Sequence, residues 1–66
     1  MQITLNGEPL QFDAAPTIAE LLLHSGHAGR RVAVELNRVI IPRSEHAGRQ
    51  VADGDAVEIV SAIGGG

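Results

Sequence analysis

The sequence contains no cysteine, no lysine, no tryptophan and no tyrosine, and Phe12 is its only phenyl ring. Without cysteine, no disulfide reinforces the core and no thiol serves as nucleophile or metal ligand. Without lysine, no side-chain amine is offered for Schiff-base chemistry or for isopeptide attachment of another molecule. All five basic residues are arginines, at 30, 31, 38, 43 and 49. No apolar run approaches the roughly 18 residues of a membrane helix, and no basic, apolar, small-residue order marks a signal peptide. A cytoplasmic location is expected. The net charge of −3 and the lack of an aromatic, basic surface argue against nucleic acid as a partner.

What is present describes one small folded domain. A chain of 66 residues buries only about 60% of the surface it exposes when unfolded, so its stability is marginal. The hydrophobic fraction of 44% is that of a globular protein rather than a disordered one. With so few aromatics, the core must be built from Val, Ile, Leu and Ala.

Periodicity divides the chain. "MQITLN" alternates, with Ile3 and Leu5 on one face, which is the period-two pattern of a half-buried strand. Asn6-Gly7 supplies the two positive-φ residues of a tight hairpin turn. "PLQF" returns as a short strand whose Pro9 suits an edge. In "DAAPTIAELLLHSG" the period becomes helical: Thr17 is the expected N-cap, Glu20 completes a capping box, and Ile18, Leu21 and Leu22 form the buried stripe. Gly26 is the expected left-handed residue past the helix end.

After a "HAGRR" loop, "VAVELN" alternates again, with Val32, Val34 and Leu36 facing one way and Ala33 and Glu35 the other. Asn37-Arg38 turns the chain, and "VII" is expected to be a short buried strand ended by Pro42. "RSEHAGRQVA" is expected to hold an irregular or 3₁₀ turn near Ser44. "DGD" at 53–55 marks another turn. "AVEIVSAI" is the last strand, with Val57 and Ile59 inward and Glu58 and Val60 outward.

This order predicts an α+β domain, a mixed sheet of four to five strands with one helix packed across one face. Parallel pairing of the first and last strands at the sheet centre would make it a β-grasp, or ubiquitin-like, fold. The domain is expected over 1–62, followed by a flexible glycine tail over 63–66.

Few side chains suggest chemistry. His24 and His27 are three apart, but His27 lies beyond Gly26 and no acidic cluster surrounds them, so no metal site is expected. Asp53 and Asp55 flank Gly54 without the further oxygen ligands of a calcium loop. No paired carboxylates or Ser-His-Asp arrangement stand out, and a domain this small has little room for a buried ligand pocket. On the outward face of the last strand, Val60 and Ala62, with Ala33 nearby, are candidates for an apolar partner interface.

That leaves "SAIGGG". Glycine has no Cβ, so an extended run of it threads a narrow channel with its backbone close to the walls. The four residues Ile63, Gly64, Gly65 and Gly66 reach about 13 Å when extended. They would present the α-carboxylate of Gly66, which is ionised at neutral pH and resists nucleophiles until it gains a leaving group. Adenylation by ATP supplies one, and a sulfur nucleophile can then displace AMP. Both sulfur and catalyst must come from elsewhere, so the expectation is a carried substrate rather than an enzyme.

"ITLNGEP", "TIAELL", "VAVELNRVIIPR" and above all "DGDAVEIVSAIGGG" resemble the ThiS family of sulfur carriers in thiamine biosynthesis, across nearly the whole chain. The departure is in "SEHAGRQV", where His46 stands at a position that is often aromatic. The resemblance implies a ubiquitin-like β-grasp fold with no bound cofactor. It implies that a ThiF-like adenylyltransferase consumes ATP to adenylate Gly66. A cysteine desulfurase system would supply sulfur for the thiocarboxylate, and a ThiG-like thiazole synthase would accept it. Gly64 and Gly65 would form the threaded arm and Ile63 its base. Alternatives are a sulfur carrier for molybdopterin synthesis, a ubiquitin-like protein modifier, or a non-covalent binding module that uses only the sheet face.

Overall fold

The computed structural model describes residues 1–61. Among them are five strands and one α-helix: β1 (Gln2–Leu5), β2 (Glu8–Gln11), α1 (Ile18–His24), β3 (Val32–Leu36), β4 (Val39–Ile41) and β5 (Ala56–Ser61), with a 3₁₀ turn at Arg43–Glu45. The sheet order is β2-β1-β5-β3-β4. β1 and β5 pair in parallel at the centre, Thr4 beside Ala56 and Leu5 beside Val57. The other neighbours are antiparallel. This is the expected β-grasp, and Pro9 sits on an edge strand, where its missing N–H costs no ladder bond.

Two turns set the register, and both place an asparagine first. Asn6 and Gly7 have φ of 50° and 85°, and Asn37 and Arg38 have 51° and 71°. The side-chain oxygens of both asparagines accept hydrogen bonds from β5: Asn6 Oδ1 from the Ile59 N–H at 2.8 Å, and Asn37 Oδ1 from the Ala56 N–H at 2.9 Å. Each therefore shapes its turn and satisfies a donor of the central strand.

The helix has only seven residues, too few to persist in isolation, and both of its ends are tied. Thr17 Oγ1 accepts from the Glu20 N–H at 3.1 Å, and Glu20 Oε1 accepts from the Thr17 N–H at 2.7 Å. At the other end the His27 N–H reaches the Leu22 carbonyl and the Gly26 N–H reaches that of Leu23. With Gly26 at φ 81°, this is a Schellman ending. The stripe of Ile18, Leu21 and Leu22 closes over Ile3, Val34, Val57 and Ile59, each buried aliphatic side chain contributing about 1.5–3 kcal/mol of transfer free energy.

The β4 strand corrects one expectation. In "VII" only Ile41 is buried, while Val39 and Ile40 are 61% and 67% exposed. β4 is an edge strand paired to β3 alone, and Ile40 lies opposite Glu35 on the face away from the helix. The following connection holds the expected 3₁₀ turn, at Arg43–Glu45. Its backbone bonds the helix start, the Arg49 and His46 carbonyls accepting from the Ile18 and Ala19 N–H groups. His46 is buried at 8% exposure, its Nε2 lying 3.0 Å from the Ile41 carbonyl oxygen.

Candidate functional site

The central strand β5 carries the chain to one end of the sheet. Its last residue, Ser61, pairs with Val32 at the start of β3. Ala62, Ile63, Gly64, Gly65 and Gly66 follow and lie outside the described residues. The root of the expected arm is thus the end of the central strand, paired there with β3, while β1 pairs with β5 near its start at Ala56 and Val57.

Beside this root the loop from α1 to β3 forms an open cleft of about 610 Å³, lined by His27, Gly29, Arg30, Arg31, Val32 and Ser61. The loop is shaped by Gly29 at φ 78° and by the Arg30 N–H bond to the His27 carbonyl. His27 is oriented by Ser25, whose Oγ lies 2.8 Å from His27 Nδ1 and also donates to the Leu21 carbonyl at 2.8 Å. Ser25, too small to add to the buried stripe, instead closes the helix end.

The outward face of the sheet holds the other candidates. Ala33 and Val60 are direct cross-strand partners, and Val60 is 53% exposed. Glu35 and Glu58 are opposite one another in the next row, and Ile40 lies across from Glu35. Ile40 was missed by sequence reasoning although a signal existed. With Ile41 inward, period two obliges Ile40 to point out.

The remaining candidates have structural roles. His24 ends the helix with its ring 5.5 Å from that of Phe12, edge to face, so the three histidines do not converge. Among the described residues no group of three metal-ligating side chains exists. Asp53 Oδ1 accepts from the Gln2 N–H, and Asp55 accepts from the Ala52 N–H and from Asn37 Nδ2. The "DGD" stretch is a turn, as expected. Among the described residues no helix is long and apolar enough to cross a membrane.

Comparison with known proteins agrees with this geometry. Residues 3–66 match the ThiS family. The chain belongs to the ThiS family. The crystal structure of the thiamine biosynthesis protein ThiS from Geobacter metallireducens superposes with a TM-score of 0.84 at 38% identity, each chain covered in full. The sulfur carrier protein ThiS of Escherichia coli is 35% identical over the full length of both chains. A thiazole synthase of Paramagnetospirillum magneticum is 47% identical over all 66 residues, but the ThiS-family chain spans only 20% of its length.

Proposed function

We propose that this chain is the sulfur carrier of thiamine biosynthesis and that Gly66 is the residue that carries the sulfur. The observation that carries the reading is the family match that runs through Gly66, together with a carrier relative aligned end to end. A ThiF-like adenylyltransferase takes up the arm. A carboxylate oxygen of Gly66 attacks the α-phosphorus of ATP and pyrophosphate leaves. Sulfur at the sulfide level, released from the persulfide of a cysteine desulfurase system by a thiol that is oxidised to a disulfide, then attacks the acyl carbon. AMP departs with the bonding electron pair, and a thiocarboxylate remains.

Apart from the Gly66 carboxylate that is itself modified, the carrier supplies no acid, base or nucleophile to these steps, which fits a chain without cysteine. Its contribution is placement. Ile63, Gly64 and Gly65 form the arm that enters the partner's channel. Ala33 and Val60, continued by Ala62, form the apolar surface that docks the domain. A ThiG-like thiazole synthase is the sulfur acceptor, and the whole-chain likeness to one fifth of a thiazole synthase supports that partner.

The genetic test separates this reading from its alternatives. Deleting the gene should produce a thiamine requirement with molybdoenzyme activity intact. The full-length gene should restore growth, and a version lacking the Gly66 codon should not. Loss of molybdoenzymes instead, or rescue by the truncated chain, would refute the assignment.

A further inference from the structure

Three of the five arginines gather at the end of the domain where β5 delivers the arm. Arg30 and Arg31 line the cleft beside Ser61. Arg30 also shares a second cleft with Arg43, across the loop and the 3₁₀ turn. No aspartate or glutamate lines either cleft. The one ion pair among the described residues joins Arg49 to Glu45 at 3.8 Å and involves none of the three. All three side chains are exposed. The molecule as a whole is acidic, its net charge being −3 with these three arginines included, and Asp53 and Asp55 lie in the turn that precedes β5 at its other end. Arg38 lies at that other end too, beside Ala56 and Glu58, but the cluster of three arginines lies at the Ser61 end of the central strand.

We infer that Arg30, Arg31 and Arg43 form a docking rim that meets carboxylates at the mouth of the channel of the adenylating enzyme. The inference rests on the carrier reading given above. Its physical basis is complementarity. The group the arm delivers is an anion, so a channel that binds it is cationic at its depth. A cationic rim at the root of the arm would be repelled by such an interior unless the channel mouth carries the opposite sign. Matched rims steer the encounter and fix its orientation, effects that act on association and weaken with salt. Arginine suits the role because its planar guanidinium pairs with carboxylates in two-point contacts.

The test is the steady-state kinetics of AMP-adduct formation on Gly66, with the carrier as varied substrate at low and high salt. Arg30→Glu/Arg31→Glu should raise the KM for the carrier about tenfold or more at low salt, leave kcat and the KM for ATP unchanged, and approach wild type at high salt. The milder Arg30→Gln/Arg31→Gln should fall between. Arg38→Glu, at the opposite end of the sheet, should stay within about twofold of wild type. Circular dichroism confirms that each variant is folded. An unchanged carrier KM in the folded reversal variant overturns the rim. So does a changed KM for ATP, which would put the arginines on the nucleotide phosphates. Failure of the wild-type chain to be adenylated overturns the carrier reading itself and the rim with it.

Discussion

Glu35 and Glu58 stand directly opposite each other across β3 and β5, and neither carboxylate has a cationic partner among the described residues. Opposed side chains in antiparallel strands have Cβ atoms about 4.5–5.5 Å apart, and like charges there are destabilising. A protein with little stability to spare keeps this repulsion on its open face, beside the exposed Val60 and Ile40. Glu58→Gln should raise stability by about 0.2–1 kcal/mol, measured by urea unfolding. The gain should shrink as salt is added. A loss of stability, or a gain indifferent to salt, would show that the pair does not repel.

The two turns give a second prediction. Asn6-Gly7 meets the demand for positive φ with glycine, whereas Asn37-Arg38 holds an arginine at φ 71°. A left-handed conformation at a residue with a Cβ costs about 1–2 kcal/mol. Arg38→Gly should therefore stabilise the fold, by roughly 0.5–1 kcal/mol once the added freedom of the unfolded chain is offset. Asn37→Gly should do the reverse, because Asn37 bonds both Asp55 and the Ala56 N–H. Paired thermal melts would read both signs, and a destabilised Arg38→Gly would contradict the strain argument.

The outer face gives a third. Val60→Thr and Ile40→Thr keep β-branching, and both side chains are more than half exposed, so stability should change by no more than about 0.5 kcal/mol. If this face docks the adenylating enzyme, the two together should weaken binding by roughly tenfold. Isothermal titration of the folded variant would show it. Unchanged affinity would remove Ala33 and Val60 from the interface.

Local signals carried most of the fold. Asn6-Gly7, the Thr17 and Glu20 capping box, and Gly26 each specify a backbone conformation from a few adjacent residues, and each stands where the pattern put it. The alternation of β3 and β5 likewise sorted Val34, Val57 and Ile59 inward. What was not legible depended on distant pairing. "VII" looks the same whether a strand is central or at an edge, and only the register of β4 against β3 exposes Ile40. His46 carries no local mark of burial, since its ring is sheltered by a bond to the Ile41 carbonyl. The arginine cluster was equally hidden. Arg30 and Arg43 are thirteen positions apart, and their sharing of one cleft is a product of topology. The candidate arm was legible as composition alone, and residues 62–66 lie outside the described structure.

The most direct measurement of the central claim is the intact mass of the protein isolated from cells with thiamine synthesis active. Sulfur carriage predicts a species heavier by about 16 Da, one oxygen replaced by sulfur, confined to Gly66 by fragmentation and lost on alkaline hydrolysis. Incubation with ATP and the adenylating enzyme should convert the unmodified chain to an AMP adduct at the same residue. A chain that acquires neither species under those conditions, or that carries the added mass elsewhere than Gly66, would contradict the account.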